Sequence, residues 1–248
     1  MDNKQWIFGR HPVLEALQAG QAIEKVYLQH GTRGDFEKEL RRTCRSLEIP
    51  LSVIPKEKIN WMVKGNHQGV VALQGVAVYQ KLENVLPLLY EQSKIPLLLL
   101  LDGVTDTRNF GAIARSAELF GVHAIVLPGK SSAGMTPDAL KTSAGALSRL
   151  PVCRVKSLVS TIEYLQNSGL TVFASDLNGE KSLPDLDLRG PTALVLGSEG
   201  EGISKGVAKA ADENFHIPQL GELNSLNVSV ATGIMLYESM RQRRQIEG

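Results

Sequence analysis

The stretch that decides the fold is residues 217–231, Ile-Pro-Gln-Leu-Gly-Glu-Leu-Asn-Ser-Leu-Asn-Val-Ser-Val-Ala. Phe215, Ile217 and Pro218 read as the end of a short apolar strand, and Gly221 bends the chain. Ser225 or Asn224 can then cap a helix that Leu226, Val230, Ile234 and Tyr237 continue along one apolar face. A loop of small residues between two rigid elements is a good ligand seat. Asn224, Ser225, Asn227 and Ser229 set short hydrogen-bonding groups beside Leu220, Leu223 and Leu226, a mixture suited to a ligand that is part polar and part apolar.

Upstream of that loop the chain alternates apolar strands with helices. Strands fall at 97–102, 124–127, 152–155, 171–174 and 193–196, and helices at 112–120, 137–147 and 158–166. Near-continuous Leu, Val and Ile in the strands predict an α/β fold whose mostly parallel sheet is covered on both faces. Ligands of such sheets sit beyond the carboxyl ends of the strands. Three segments fall there: 109–115 (Asn-Phe-Gly-Ala-Ile-Ala-Arg), 196–203 (Leu-Gly-Ser-Glu-Gly-Glu-Gly-Ile) and 220–227.

In this order the three segments resemble the motifs of the SpoU, or TrmH-like, RNA 2′-O-ribose methyltransferases. The resemblance implies a deep trefoil knot, with the C-terminal segment threaded through a loop; residue pattern alone would not suggest one. It also implies S-adenosylmethionine as cofactor, with Gly197, Ile217 and Leu226 shaping its pocket and Leu196, Gly202 and Pro218 beside it. Arg115 is the implied chief catalytic residue. A guanidinium keeps its proton to above about pH 12, so Arg115 is assigned to the RNA phosphate and the emerging oxyanion rather than to base catalysis. Glu199 would orient Arg115 or accept the hydroxyl proton, Asn109 and Asn227 would position backbone and substrate oxygens, and Ser225 would support them. Family members often have Asp-Pro before the first motif, whereas Asp106 is followed by Thr107 and Arg108, which predicts a less rigid turn.

The first eighty or so residues form a separate pattern. A helix runs from Pro12 towards Gly20, strands fall at 25–29 and 51–54, helices at 35–48 and 55–64, and a β-rich run starts at Gly69. Phe36, Leu40, Cys44 and Leu47 share one side of the second helix, opposite Arg41, Arg42 and Arg45. Through Gly9-Arg-His-Pro-Val-Leu-Glu-Ala-Leu and Asn66-His-Gln-Gly-Val-Val-Ala, this unit is similar to the small ribosomal-protein-like (L30e-like) domain that some members carry. We therefore expect a substrate-binding domain over residues 1–77, with Arg10, His11 and His67 on the RNA, and a linker over 78–96, marked by Pro87 and Pro96, in which Leu82, Val85, Leu86, Leu88 and Leu89 could form a short helix. The knotted catalytic domain would occupy 97–248. Residues 1–76 carry eleven Lys or Arg against eight Asp or Glu in a chain of net charge +1. That surplus fits an RNA-facing surface and equally an ordinary solvated face.

Other site classes fail on spacing. Gly197, Gly200 and Gly202 run in the reverse order of a dinucleotide fingerprint, and Gly129-Lys-Ser lacks the earlier glycine of a phosphate loop because position 124 is Ala. No His, Cys or carboxylate cluster has metal-ligand spacing, so no metal is expected. Cys44 and Cys153 suit small core positions in a reducing compartment. The opening Met-Asp-Asn-Lys-Gln-Trp does not read as a leader, and no apolar run approaches the roughly 20 residues that span a bilayer. The expectation is a cytoplasmic homodimer, joined through Ile234, Tyr237 and Met240, that methylates a guanosine 2′-hydroxyl in large-subunit (23S) ribosomal RNA. Two alternatives remain: a methyltransferase acting on tRNA, and a non-catalytic RNA-binding or ribosome-assembly protein.

Overall fold

The computed structural model describes residues 6–75, 77–129, 132–221 and 225–244. Asn224, Leu223 and the Lys-Ser pair after Gly129 lie outside the described residues. The chain divides into two compact units, Met1–Val78 with Gly134–Pro137, and Tyr79–Ala133 with Asp138–Gly248.

The first unit contains β1 (Trp6–Phe8), α1 (Arg10–Gln18), β2 (Ile23–Gln29), α2 (Asp35–Ser46), β3 (Leu51–Ile54), α3 (Lys56–Met62) and β4 (Val70–Gln74). Its sheet order is β1-β4-β2-β3, antiparallel except for the β2–β3 pair. Val26 and Leu28 of β2 meet Val13 and Leu17 of α1 and Leu40 and Cys44 of α2 in one core. Arg41, Arg42 and Arg45 remain on the solvent side, as the spacing predicts.

The second unit contains α4 (Leu82–Glu91), β5 (Leu97–Leu101), α5 (Thr107–Leu119), β6 (Ala124–Pro128), α6 (Pro137–Thr142), β7 (Val152–Val155), α7 (Leu158–Asn167) and β8 (Thr171–Ser175). After these come β9 (Lys181–Ser182), β10 (Thr192–Leu196), α8 (Lys205–Ala210), β11 (Glu213–His216) and α9 (Val228–Arg244). The sheet order is β7-β6-β5-β10-β8-β11-β9, and every pair is parallel. All five leucines of β5 are buried, because alternate side chains point to opposite faces and both faces are covered. Leu98 and Leu100 join the apolar residues of α4, α7 and α8 in one cluster. On the other face α5 buries Phe110, Ile113, Ala114 and Ala117 and packs against α9. Among the described residues, no helix is long and apolar enough to cross a membrane, and no group of three or more His, Cys, Asp or Glu could hold a metal.

Four local expectations change. Residues 78–96, expected to be a linker, contain α4, whose Leu82, Val85, Leu86 and Leu89 belong to the second unit's core. Burial of those four side chains outweighs a penalty of about 3 kcal/mol for Pro87 inside the helix. The expected 137–147 helix breaks after Thr142, because Ala144 and Gly145 both adopt positive φ. Helix α5 starts five residues early and takes in the whole first motif, since Asp106 accepts hydrogen bonds from the N–H groups of Arg108 (2.9 Å) and Asn109 (2.7 Å). That cap fixes where α5 begins although no proline follows Asp106. Finally, α9 is capped by Asn227, whose Oδ1 accepts from the Ser229 N–H at 2.9 Å, and not by Ser225.

Candidate active site

The loops after β8, β10 and β11 converge beyond the carboxyl edge of the sheet. The loop after β10 is the most constrained. Ser198 and Gly202 exchange N–H···O bonds of 3.0 Å in both directions, folding residues 198–202 back on themselves. A Cβ placed on Gly197 would lie 1.9 Å from the carbonyl carbon of Gly202, so no other residue fits. Gly200 (φ 87°) and Gly202 (φ 67°) supply the left-handed turns that close the loop. Asp102, at the end of β5, holds its far side by accepting from the Ser204 N–H at 2.7 Å.

This loop forms one wall of a cleft of about 540 Å³. Leu196, Gly197, Gly202, Ile217 and Leu226 line it, together with Glu199 and Ser225, whereas Pro218 does not. Residues not expected from the sequence also line it: Ser175 at the end of β8, Asp176, Leu177 and Asn178 after it, then Lys205, His216 and Gln219. For all but Lys205, which starts α8, the signal was available: Ser175 and His216 end β8 and β11, and the others lie just beyond the carboxyl ends of those parallel strands. Small turn residues beside Leu196, Ile217 and Leu226 suit a nucleoside-sized ligand with a polar tail, and the volume lies within the roughly 300–1,000 Å³ usual for such sites.

At the rim, three residues far apart in sequence meet. Glu199 Oε1 accepts from Asn109 Nδ2 at 3.2 Å, from Asn227 Nδ2, and from the Val228 N–H at 3.4 Å. Asn227 Nδ2 also reaches Asn109 Oδ1 at 3.2 Å. The carboxylate therefore links the start of α5, the loop after β10 and the start of α9, and its second oxygen has no hydrogen-bond partner among the described residues. Ser225 stands outside this cluster. Arg115 is exposed on α5, lines no part of the cleft, and makes no hydrogen bond or ion pair with a described residue.

Arg10, His11 and His67 line a separate cleft of about 940 Å³ within the first unit. His67 is buried there, with Nδ1 accepting from the Gly69 N–H at 3.0 Å and Nε2 2.7 Å from Asn60 Oδ1. It shapes the 65–69 turn, while Arg10 and His11 remain exposed.

Residues 96–237 match the SpoU rRNA methylase family, and residues 6–74 match the RNA 2′-O ribose methyltransferase substrate-binding domain. The chain belongs to the SpoU family. A Staphylococcus epidermidis protein assigned to the TrmH family of tRNA/rRNA methyltransferases is 34% identical over 241 residues, 97% of each chain. The SpoU methyltransferase AviRb from Streptomyces viridochromogenes, solved with AdoMet, is 25% identical with a TM-score of 0.61, covering 99% of this chain and 92% of that one. A TrmH/SpoU tRNA-modifying enzyme from A. aeolicus is 31% identical over 66% of this chain and 85% of its own, with a TM-score of 0.57. Membership makes this protein an RNA 2′-O-ribose methyltransferase that uses S-adenosylmethionine.

Proposed function

We propose that the protein methylates the 2′-hydroxyl of a guanosine in 23S ribosomal RNA, working in the cytoplasm as a homodimer. Agreement across the whole chain supports this, since both units match and the TrmH-family relative aligns over 97% of its length. In the same reading the first unit is an L30e-like RNA holder spanning residues 1–77, and the second unit, α4 included, is a knotted catalytic domain.

The observation that carries the chemistry is the Glu199–Asn109–Asn227 cluster at the mouth of the 540 Å³ cleft. Leu196, Gly197, Gly202, Ile217 and Leu226 would hold S-adenosylmethionine, with Pro218 next to Ile217 but outside the lining. The cofactor, when bound, supplies a methyl group on a sulfonium, already a good leaving group. The protein must therefore align a weak nucleophile and favour its developing negative charge. Asn109 and Asn227 fix Glu199 so that its free oxygen can take the proton lost by the 2′-hydroxyl. Ser225, on the cleft wall, would support the ribose. Arg115 would bind the RNA phosphate and stabilise the emerging alkoxide. Its separation from the cleft within one subunit favours delivery from a second copy, and Val230, Ile234 and Tyr237, each at least 39% exposed on α9, offer a face for that copy.

A tRNA target is the second reading, favoured by the tRNA-modifying relative from A. aeolicus. Methyl transfer from labelled S-adenosylmethionine to unmodified 23S rRNA and to unmodified tRNA in parallel, followed by mapping, separates the two. Label at one guanosine of the ribosomal RNA is expected; label confined to tRNA overturns the ribosomal target.

A further inference from the structure

We propose that the cleft of the first unit holds an unpaired stretch of the RNA, with the exposed indole of Trp61, on a helix that walls the cleft, stacked on a base that extends beyond it. The proposal rests on the RNA methyltransferase reading and adds the form of RNA that this unit recognises.

Three observations carry it. Among the described residues, the 940 Å³ cleft is lined by Arg10, Arg33 and Lys56 and by no carboxylate, so its fixed charge there is all positive and suits a phosphodiester. It is also set in advance. Gln68 sits at φ 50°, a strained value for a residue with a side chain, and its Oε1 accepts from the Arg10 N–H at 2.9 Å. Arg10 Nε returns a 3.4 Å bond to the Gln68 carbonyl while its guanidinium lies over the Phe36 ring, 5.0 Å from the centroid. That leaves the Nη groups with no partner among the described residues.

The third observation selects an unpaired nucleotide over a duplex. Helix α3 contributes Lys56 and Asn60 to the cleft and anchors itself through the fully buried Ile59. The residue after Asn60 is Trp61, 86% exposed and outside the cleft lining, so its ring is open to a base that extends beyond the cleft. Tryptophan is among the side chains most buried on average, and α3 gains no packing from holding one in water. Unpaired bases present open π-faces that stack on aromatic rings while cations track the backbone; a duplex hides those faces. Basic groups and an open indole on one short helix and its adjoining loops therefore fit single-stranded RNA.

The test uses the full-length protein. The chain has two tryptophans, so Trp6→Phe, which keeps an aromatic ring against Tyr27, leaves Trp61 as the sole indole reporter. Oligoadenylate should quench its emission saturably, and the same strand annealed to oligouridylate should not. Trp61→Ala should weaken oligoadenylate binding roughly tenfold, Trp61→Phe much less, and S-adenosylmethionine affinity should stay unchanged in both. Arg33→Ala and Lys56→Ala should each lower the slope of log affinity against log salt by about 0.7. Unchanged Trp61 emission at saturating oligoadenylate, equal quenching by the duplex, or wild-type affinity in Trp61→Ala would each overturn the proposal. The target has a separate outcome: quenching without methylation of 23S rRNA supports the stacking site and removes only that target.

Discussion

Glu199 illustrates how much of this site depends on single atoms. One of its oxygens is saturated by two carboxamides and a backbone N–H, so the side chain is oriented before any substrate arrives. Arg115 is its opposite, an exposed cation with no described partner. If the proposed roles hold, Arg115→Ala should reduce the single-turnover rate of methyl transfer by about 10²–10³-fold, the usual loss when an oxyanion donor is removed. S-adenosylmethionine affinity should stay within a few-fold, because Arg115 does not line the cleft. Calorimetry together with rapid-quench assays separates the two effects. A defect located entirely in cofactor binding would sink the assignment.

At the scale of elements, α9 is held at both ends. Its first turn is capped by Asn227 and touches Glu199. Near its last turn, Gln242 accepts from the Leu188 N–H at 2.9 Å and donates to the Leu186 carbonyl at 3.0 Å. Arg243 donates to four backbone carbonyls, those of Leu188, Ile95, Pro96 and Gly190, at 2.7–3.1 Å. Burial lowers the Arg243 pKa to about 10, so it remains charged at neutral pH. The helix is thus clamped to the segments that feed β5 and β10, the central pair of the sheet. Arg243→Met keeps much of the stem packing and leaves those carbonyls short of donors. We expect a loss of about 1–3 kcal/mol in denaturant unfolding. An unchanged midpoint would show that water replaces the guanidinium without cost.

At the scale of the molecule, the proposal that a second copy completes the active site has a complementation test. Arg115→Ala can be co-expressed with Ser225→Arg, which places a long cation in the cleft at an exposed position. Each variant alone should be inactive. If Arg115 acts across the dimer, a mixed dimer has one doubly damaged site and one intact site. Random pairing makes about half the dimers mixed, so activity should return to roughly a quarter of wild type. Inactivity of purified mixed dimers would reject the shared site.

The sequence by itself carried the α/β alternation, the parallel sheet and the placing of small-residue loops at strand ends. These follow from local periodicity and from the short list of layouts that can bury continuous apolar strands. It did not carry the insertion of β10 between β5 and β8, because strand order depends on the packing of every element at once. That order brings Glu199 to Asn109, 90 positions away, and to Asn227, 28 positions away. It also seats the 175–178 turn in the cleft, a turn whose residues look ordinary in isolation. Pro87 read as the mark of a linker that could hold a short helix, yet the burial of one face makes that helix part of the second unit's core and outweighs the proline's local cost. Propensity acts over a few residues, whereas burial sums over the whole interior, and where the two disagreed in this chain the interior prevailed.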